Sequence, residues 1–368
     1  MSPRPEELNE ALVGSLESNG TLVDRRVGDA FRAVLRHHFL PGHPLTEVYE
    51  DTAIMTKFGE RGVAVSSSSQ PAIMAIMLQQ LHAEPGQRVL EVGAGSGYNA
   101  ALLAELVGSQ GHVVTLDFDE DLSESARTHL GQAGFPGVEV RRADGAEGWP
   151  PGAPYDRLIV TASADDLSPA WLDQLVEGGR LVIPLSLAGP IQFSIAFVRE
   201  GPTLVSRSLS FCGFMPLRGD MARPAGGHGK VDSAPAWLAN PGVGRACGFE
   251  LPAGDARAGF EAWLAMTEPG YVRLSRNPED PAVFGLWDET GSVALLEWEG
   301  SALELRAYGR GEEAAWRLMA AHRRWVRERP SVQDFQVIAV PSSSALADPA
   351  PGVRTIRRSR FTFLVSPR

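Results

Sequence analysis

The segment Arg88-Val89-Leu90-Glu91-Val92 runs without interruption into Gly93-Ala94-Gly95-Ser96-Gly97. A short apolar run that ends in three closely spaced glycines, with a helical pattern over 98–107 behind it, leaves few folds open. The run reads as a buried strand. Glycine permits the tight turn and the close approach of backbone to a ligand. The helix beyond it offers N–H groups with no partner in its own first turn. Strand, glycine turn and helix in that order form the opening unit of a nucleotide-binding α/β sheet. The spacing here is G-x-G-x-G, so the third glycine position of the dinucleotide fingerprint is missing.

The pattern repeats downstream. Strands are predicted at 113–116, 138–141, 158–161 and 180–184, with helices at 122–132 and 169–175 between them, and later strands at 193–198 and 204–211. This alternation predicts a mostly parallel, doubly wound sheet covered on both faces. Upstream, Val27, Phe31, Val34 and Leu35 fall at helical spacing. Residues 46–69 read as irregular, with four serines, Ser66 to Ser69, at their end. A helix is predicted from Pro71, since proline suits the first helical position.

The first domain is expected to span 1–222, and 223–368 to form a smaller C-terminal α/β domain. The stretch 222–235 is rich in Gly, Pro, Ala and Ser and reads as a linker or surface loop. Beyond it, 293–298 and 303–308 suggest a hairpin, 312–328 a helix, and 335–340 and 361–365 strands. Trp316 and Trp325 are expected in the core. Charge changes at the same boundary: residues 1–222 hold 16 Lys and Arg against 28 Asp and Glu, and residues 223–368 hold 18 against 17.

With a net charge of −11 the chain does not advertise a nucleic-acid partner, because phosphate binding rests on Lys and Arg. No apolar stretch approaches membrane-spanning length, and residues 1–20 lack the regions of a secretory signal. Two cysteines far apart, Cys212 and Cys247, suggest neither a disulfide scaffold nor a metal site. The expectation is a cytoplasmic protein with reduced thiols. His37 and His38 are adjacent and lack an acid or Cys cluster, so packing is the simpler reading. His322-Arg323-Arg324 and the arginines of 354–360 suit an acidic peptide or, more simply, a solvated surface.

Two acids extend the glycine turn into a candidate cofactor set. Asp117 closes the second strand, twenty residues after Gly97. An acid there accepts hydrogen bonds from both ribose hydroxyls of a nucleoside. Asp144-Gly145 follow the third strand. Asp144 is placed to accept from an adenine amino group, or it serves only as a turn residue. The candidate cofactor-binding residues are therefore Glu91, Gly93, Gly95, Gly97, Asp117, Asp144 and Gly145.

Over residues 22–222 the sequence resembles the protein-L-isoaspartate O-methyltransferase family. The resemblance is carried by Asp24-Arg25-Arg26-Val27, Arg36-His37-His38-Phe39-Leu40-Pro41, Tyr49-Glu50-Asp51, Ser69-Gln70-Pro71 and 89–98. It continues through Asp144-Gly145, Ala153-Pro154-Tyr155-Asp156, Val160-Thr161-Ala162, 177–184 and Phe214-Met215-Pro216-Leu217. It implies a seven-stranded class I methyltransferase fold and S-adenosylmethionine as cofactor. The implied substrate is a peptide bearing an aspartyl or isoaspartyl carboxylate. Ser69, two residues before Pro71, matches the family's substrate-facing serine and is the one candidate catalytic residue. A helix cap is the alternative for a serine in that place.

The sequence departs from the family in four places. Ser67-Ser68 replace Thr-Ile, Asp117 replaces Glu, Ser186 replaces a glycine, and about 145 residues follow the point where ordinary repair enzymes stop. That extension resembles the methyltransferases found beside ribosomally made lanthipeptides, graspetides and lasso peptides. The resemblance therefore favours a constrained precursor peptide as partner, its methyl ester closing to a succinimide (aspartimide), over housekeeping repair. Two rivals are a non-catalytic peptide-binding protein on the same fold and a methyltransferase for a small molecule or nucleic acid.

Overall fold

The computed structural model describes residues 3–59, 62–189, 191–222, 245–251, 255–274, 283–288, 292–299, 302–309, 312–345 and 348–368. The chain divides into two compact units, Met1–Leu185 with Phe193–Ala222, and Ser186–Gln192 with Arg223–Arg368. The expected linker lies, from residue 223 on, outside the described residues.

The first unit opens with helices α1 (Pro5–Ser18), α2 (Arg25–Ala33) and α3 (Leu45–Val48), then strands β1 (Ile54–Phe58) and β2 (Ala64–Ser68). The alternating part follows: α4 (Pro71–Leu81), β3 (Arg88–Val92), α5 (Tyr98–Val107), β4 (His112–Asp117), α6 (Glu120–Gln132), β5 (Glu139–Arg142), β6 (Tyr155–Val160), α7 (Pro169–Gln174), β7 (Leu175–Leu185), β8 (Gln192–Glu200) and β9 (Thr203–Cys212). Its strands lie in the order β9-β8-β7-β6-β3-β4-β5. The ladders β7-β6-β3-β4-β5 are parallel, and β8 turns antiparallel to β7. Val89, Leu90, Val114, Leu116, Leu158 and Val160 are all buried. Such continuous apolar runs are what strands covered on both faces require. α5 and α6 pack on β4, and α4 packs on β6, β7 and β9.

Two sequence expectations change here. The helical pattern through Leu35 ends sooner, because α2 stops at Ala33 and Val34 is extended. A short 3-10 turn, Arg36–Phe39, then directs Arg36 inward. Residues 46–69 are not irregular: β1 and β2 form an antiparallel hairpin with Ile54 opposite Ser68 and Met55 opposite Ser67. The usual alternation is hidden because the inward positions of β2 are Ser66 and Ser68, both buried. Their hydroxyls are satisfied by side chains, Ser66 Oγ accepting from Thr56 Oγ1 at 3.0 Å.

The second unit contains β10 (Arg245–Leu251), α8 (Asp255–Thr267), β11 (Tyr271–Leu274), β12 (Val283–Trp287), β13 (Ser292–Glu299), β14 (Ala302–Gly309), α9 (Glu313–Glu328), β15 (Phe335–Pro341), β16 (Arg354–Arg357) and β17 (Phe361–Pro367). One sheet has the order β10-β14-β13-β12-β11, and β17 pairs with both β15 and β16. The ladders of this unit that join these strands are antiparallel. The hairpin β13–β14 and helix α9 stand where the sequence predicts them. Trp316 does not: it is 58% exposed. Helix α9 buries Ala314, Ala315, Leu318, Ala321 and Trp325, and position 316 stands off that i, i+3, i+4 stripe. Among the described residues, no helix is long and apolar enough to cross a membrane.

Candidate active site

A cavity of ≈ 760 Å³ opens at the carboxyl ends of β3 and β4. Its size suits a nucleoside ligand with part of a substrate. Gly93, Ala94, Gly95 and Ser96 form one wall, with Asp117, Gly145 and Thr161 around them. Ser66 to Ser69 and the first turn of α4 also line it. Phe214, Met215, Pro216 and Leu217 line a further part. This last segment is fixed by paired backbone bonds, Ser163 N to Met215 O and Leu217 N to Ser163 O, both 2.8 Å.

The glycine turn is built from β4. The amides of Gly93 and Ala94 both donate to Leu116 O at 2.8 Å, and the Gly95 amide donates to Asp117 Oδ2 at 2.9 Å. Gly93 has φ +107, and a Cβ added there would lie 2.3 Å from Thr161 Oγ1. Thr161 Oγ1 in turn donates to Gly93 O at 2.8 Å. Residue 93 must therefore be glycine for both conformation and space. Gly95 differs, because a Cβ there would meet only Ser67 O at 3.7 Å and Ser66 Oγ at 3.8 Å. The end of β2 therefore stands beside the turn at this residue, at ordinary van der Waals distance from such a Cβ.

Asp117 is 7% exposed. Oδ1 accepts from the Asp119 amide at 3.1 Å, and Oδ2 from Gly95. A carboxylate has about four acceptor positions, so each oxygen keeps one beyond its amide partner, with Arg218 Nη2 3.8 Å from Oδ1. Burial raises the Asp117 carboxyl above its ordinary value, opposed by the Gly95 and Asp119 amides and by Arg218. Arg218 Nη1 lies 2.9 Å from Asp119 Oδ2, which also holds Lys57 Nζ of β1 at 2.7 Å. These half-exposed pairs tie the hairpin and the segment after β9 to the ribose end, at modest energy each.

Gly145 lines the cavity, but Glu91, Gly97 and Asp144 do not. Gly97 packs instead against α6, where a Cβ would lie 3.2 Å from Ala126 O and Leu130 Cγ. Asp144 Oδ1 accepts from the Ala146 amide at 2.9 Å and Oδ2 from the Asp220 amide at 2.8 Å. Its side chain works as a turn cap, leaving Ala143 and Gly145 to line the cavity. Glu91 is 0% exposed, on β3. Its oxygens accept from Thr115 Oγ1 at 2.6 Å and Asn99 Nδ2 at 2.8 Å, which fastens β4 and α5 beneath the turn.

Burial pushes the Glu91 carboxyl up from 4.5 to about 7, opposed by its bonds from Thr115 and Asn99. A raised acid stabilises the fold fully below 4.5 and loses that contribution as pH rises through about 7. Glu91→Gln is therefore expected to gain stability relative to wild type as pH rises from 5 to 8. The gain should total roughly 3 kcal/mol at about 1.4 kcal/mol per unit. Denaturant melts of both proteins across that range check this; a difference independent of pH would refute it.

Ser69 sits just before α4 and lines the cavity. The helix cap is Gln70, with no side-chain cap bond. The first turn is instead fastened by Asp51, whose Oδ1 accepts from the Ala72 amide at 2.8 Å. Ser69 is thus not the capping residue. Behind it lies a residue to which the sequence reading assigned no role. Arg36, 0% exposed, donates to Val48 O and Glu50 O through Nη1 and to Thr52 O and Ser69 O through Nη2. It was visible only as part of the Arg36–Pro41 motif. Both replacement residues, Ser67 and Ser68, line the cavity, and Ser68 Oγ also accepts from Arg36 Nη2 at 3.4 Å.

A family model described as protein-L-isoaspartate(D-aspartate) O-methyltransferase matches residues 6–222. The chain belongs to that family. As a member of the isoaspartate methyltransferases it is an S-adenosylmethionine-dependent carboxyl methyltransferase. The protein-L-isoaspartate O-methyltransferase of Methanopyrus kandleri is 38% identical over 212 residues, 57% of this chain and 91% of that protein. That of Ignicoccus hospitalis is 37% identical over 212 residues, 58% and 98% of the two chains. A solved protein-L-isoaspartate O-methyltransferase superposes with a TM-score of 0.55 at 24% identity, over 90% of this chain and 96% of its own. A second, from Plasmodium falciparum in complex with S-adenosyl-L-homocysteine, gives 0.51 at 21% identity, over 57% and 98%. These two likenesses concern the class I fold.

Proposed function

We propose that the protein esterifies the free carboxylate of an isoaspartyl residue in a polypeptide, with Ser69 at the substrate and Asp117 at the donor's ribose. The observation that carries this reading is that Ser69 and Asp117 line one and the same cavity. The cavity suits the donor: Gly93, Gly95 and Asp117 line it, and the Asp117 carboxylate has acceptor positions beyond those its two amide partners take. When bound, S-adenosylmethionine supplies an electrophilic methyl group on a sulfonium sulfur.

The chain itself has little chemistry to perform. A carboxylate has an ordinary pKa of ~4 and is already ionised and nucleophilic near neutral pH. No general base is needed, and no histidine is among the described residues lining the cavity. Burial pushes the one cysteine there, Cys212, up to about 12, so it stays a neutral thiol. Ser69 Oγ donates to one carboxylate oxygen and leaves the other to attack. Orientation of this kind supplies about 7–11 kcal/mol. The ester then closes without enzyme help: the next backbone nitrogen attacks the ester carbon, methanol leaves, and a succinimide forms.

Isoaspartyl repair has the stronger support over the narrower reading as a maturase of modified peptides. That narrower reading rests on the C-terminal unit alone. A solved structure named for isoaspartate methylation aligns with 90% of this chain, so such a unit does not weigh against repair.

The test is transfer of labelled methyl to three peptides of one sequence carrying isoaspartate, linear aspartate or aspartate in a ring. Label in the isoaspartyl peptide, followed by methanol loss, is the expected result. Label only in the cyclic peptide would favour the maturase. No label in any, with S-adenosylhomocysteine still binding, would leave a non-catalytic peptide binder. A hydrogen bond to a charged group contributes about 1.5–3 kcal/mol. Ser69→Ala is therefore expected to lower kcat/KM by roughly tenfold or more, with S-adenosylhomocysteine affinity within twofold.

A further inference from the structure

We propose that Arg36 and Asp51 are positioning residues that clamp Ser69 from its two sides and so set the direction of its hydroxyl. This rests on the reading of Ser69 as the residue that meets the substrate carboxylate.

The Arg36 side chain leaves the 3-10 turn after α2 and ends wholly inside the protein. Its Nη2 donates to Ser69 O at 3.0 Å and Thr52 O at 3.1 Å, with longer contacts of 3.4 Å to Ser68 O and Ser68 Oγ. Its Nη1 donates to Val48 O at 2.9 Å and Glu50 O at 3.2 Å. One planar group thereby joins the segment before β1 to the end of β2. Nε has no partner among the described residues, and no carboxylate pairs with this guanidinium there. A buried cation held only by carbonyls and a hydroxyl is costly unless its geometry matters. Lysine cannot reproduce the fork, because its donors share one nitrogen.

Asp51 holds the other side. Oδ1 accepts from the Ala72 amide at 2.8 Å and Oδ2 from Gln70 Nε2 at 3.0 Å. Ser69 lies between these two fastenings, and both act on backbone or on its neighbours rather than on its hydroxyl. The hydroxyl is left to the cavity while the chain carrying it cannot turn. A donor held in this way needs no reorganisation when the carboxylate arrives.

Double-mutant cycles separate this from a merely structural role. Arg36→Lys alone is expected to lower kcat/KM on an isoaspartyl peptide about tenfold, with S-adenosylhomocysteine affinity within twofold. In a Ser69→Ala background the same change should cost less than twofold, because the hydroxyl it positions is gone. Asp51→Ala, at a half-buried site, should show the same coupling and serves if Arg36→Lys does not fold. Losses that multiply in both cycles, or an unaltered kcat/KM in Arg36→Lys, overturn the clamp. If wild type methylates the peptide and Ser69→Ala impairs it, the functional reading survives that failure.

Discussion

Replacing Gly93 with alanine is expected to abolish measurable binding of S-adenosylhomocysteine while leaving the protein folded. Two effects add at this residue. Its φ of +107 is one that L side chains rarely adopt, a strain of about 1–3 kcal/mol. The new Cβ would also stand 2.3 Å from Thr161 Oγ1. Thr161 must then rotate and give up the one hydroxyl hydrogen bond it makes to Gly93 O or Val92 O, worth about 1 kcal/mol. The turn that follows carries the Gly95 amide to Asp117, so its displacement moves the ribose acceptor as well. Titration calorimetry should show a Kd raised at least about 100-fold. Gly137→Ala is the control, since nothing lies within 4 Å of a Cβ there. Wild-type affinity in Gly93→Ala would mean that this turn does not cradle the cofactor.

How much of this was legible in the sequence depended on where the hydrophobic pattern does its work. Strand β3 and helix α5 were placed residue for residue, because a doubly covered strand must be apolar throughout and the glycines mark its end. Strands β4 to β6 were found with shifts of a few residues, as boundaries carry less signal than interiors. The β1–β2 hairpin was missed because its inward side chains are serines, which look like loop to any reading by hydrophobicity. In the second unit, α8 and strands β10, β11, β12 and β16 were missed: β10, β11 and β16 are short and broken by polar residues, while β12 is an apolar run of five with a glycine at its centre.

The candidate site divides the same way. Gly93, Gly95, Gly97, Asp117 and Gly145 stand at the turn and strand ends that their motif spacing implies. Glu91 and Asp144 are adjacent in motif but stand behind the wall, one beneath the turn and one capping a 3-10 helix. Sequence spacing places a residue at a strand end and says nothing about which way its carboxylate turns. Arg36 shows the opposite failure. A buried arginine whose described partners are carbonyls and a serine leaves no charge pattern to find, because those carbonyls belong to no residue type.

Asp117→Ala is expected to weaken S-adenosylhomocysteine by at least about 100-fold. The argument counts acceptor positions. With the Asp119 and Gly95 amides each taking one, two remain for the two ribose hydroxyls. Each bond from a neutral donor to a carboxylate contributes about 1.5–3 kcal/mol, so losing both exceeds the ~2.7 kcal/mol of a 100-fold change. Arg218 does not replace the lost acid, since it brings donors where acceptors are needed, and it keeps Asp119 as its partner at 2.9 Å. Asp117→Asn sharpens the test. It retains one acceptor oxygen and nearly the same shape, but its amide nitrogen can only donate. Its affinity should therefore fall between wild type and alanine, whatever packing the alanine disturbs. If alanine instead binds within threefold of wild type, the ribose is held elsewhere, and the resemblance of Asp117 to the family's acid is one of position only.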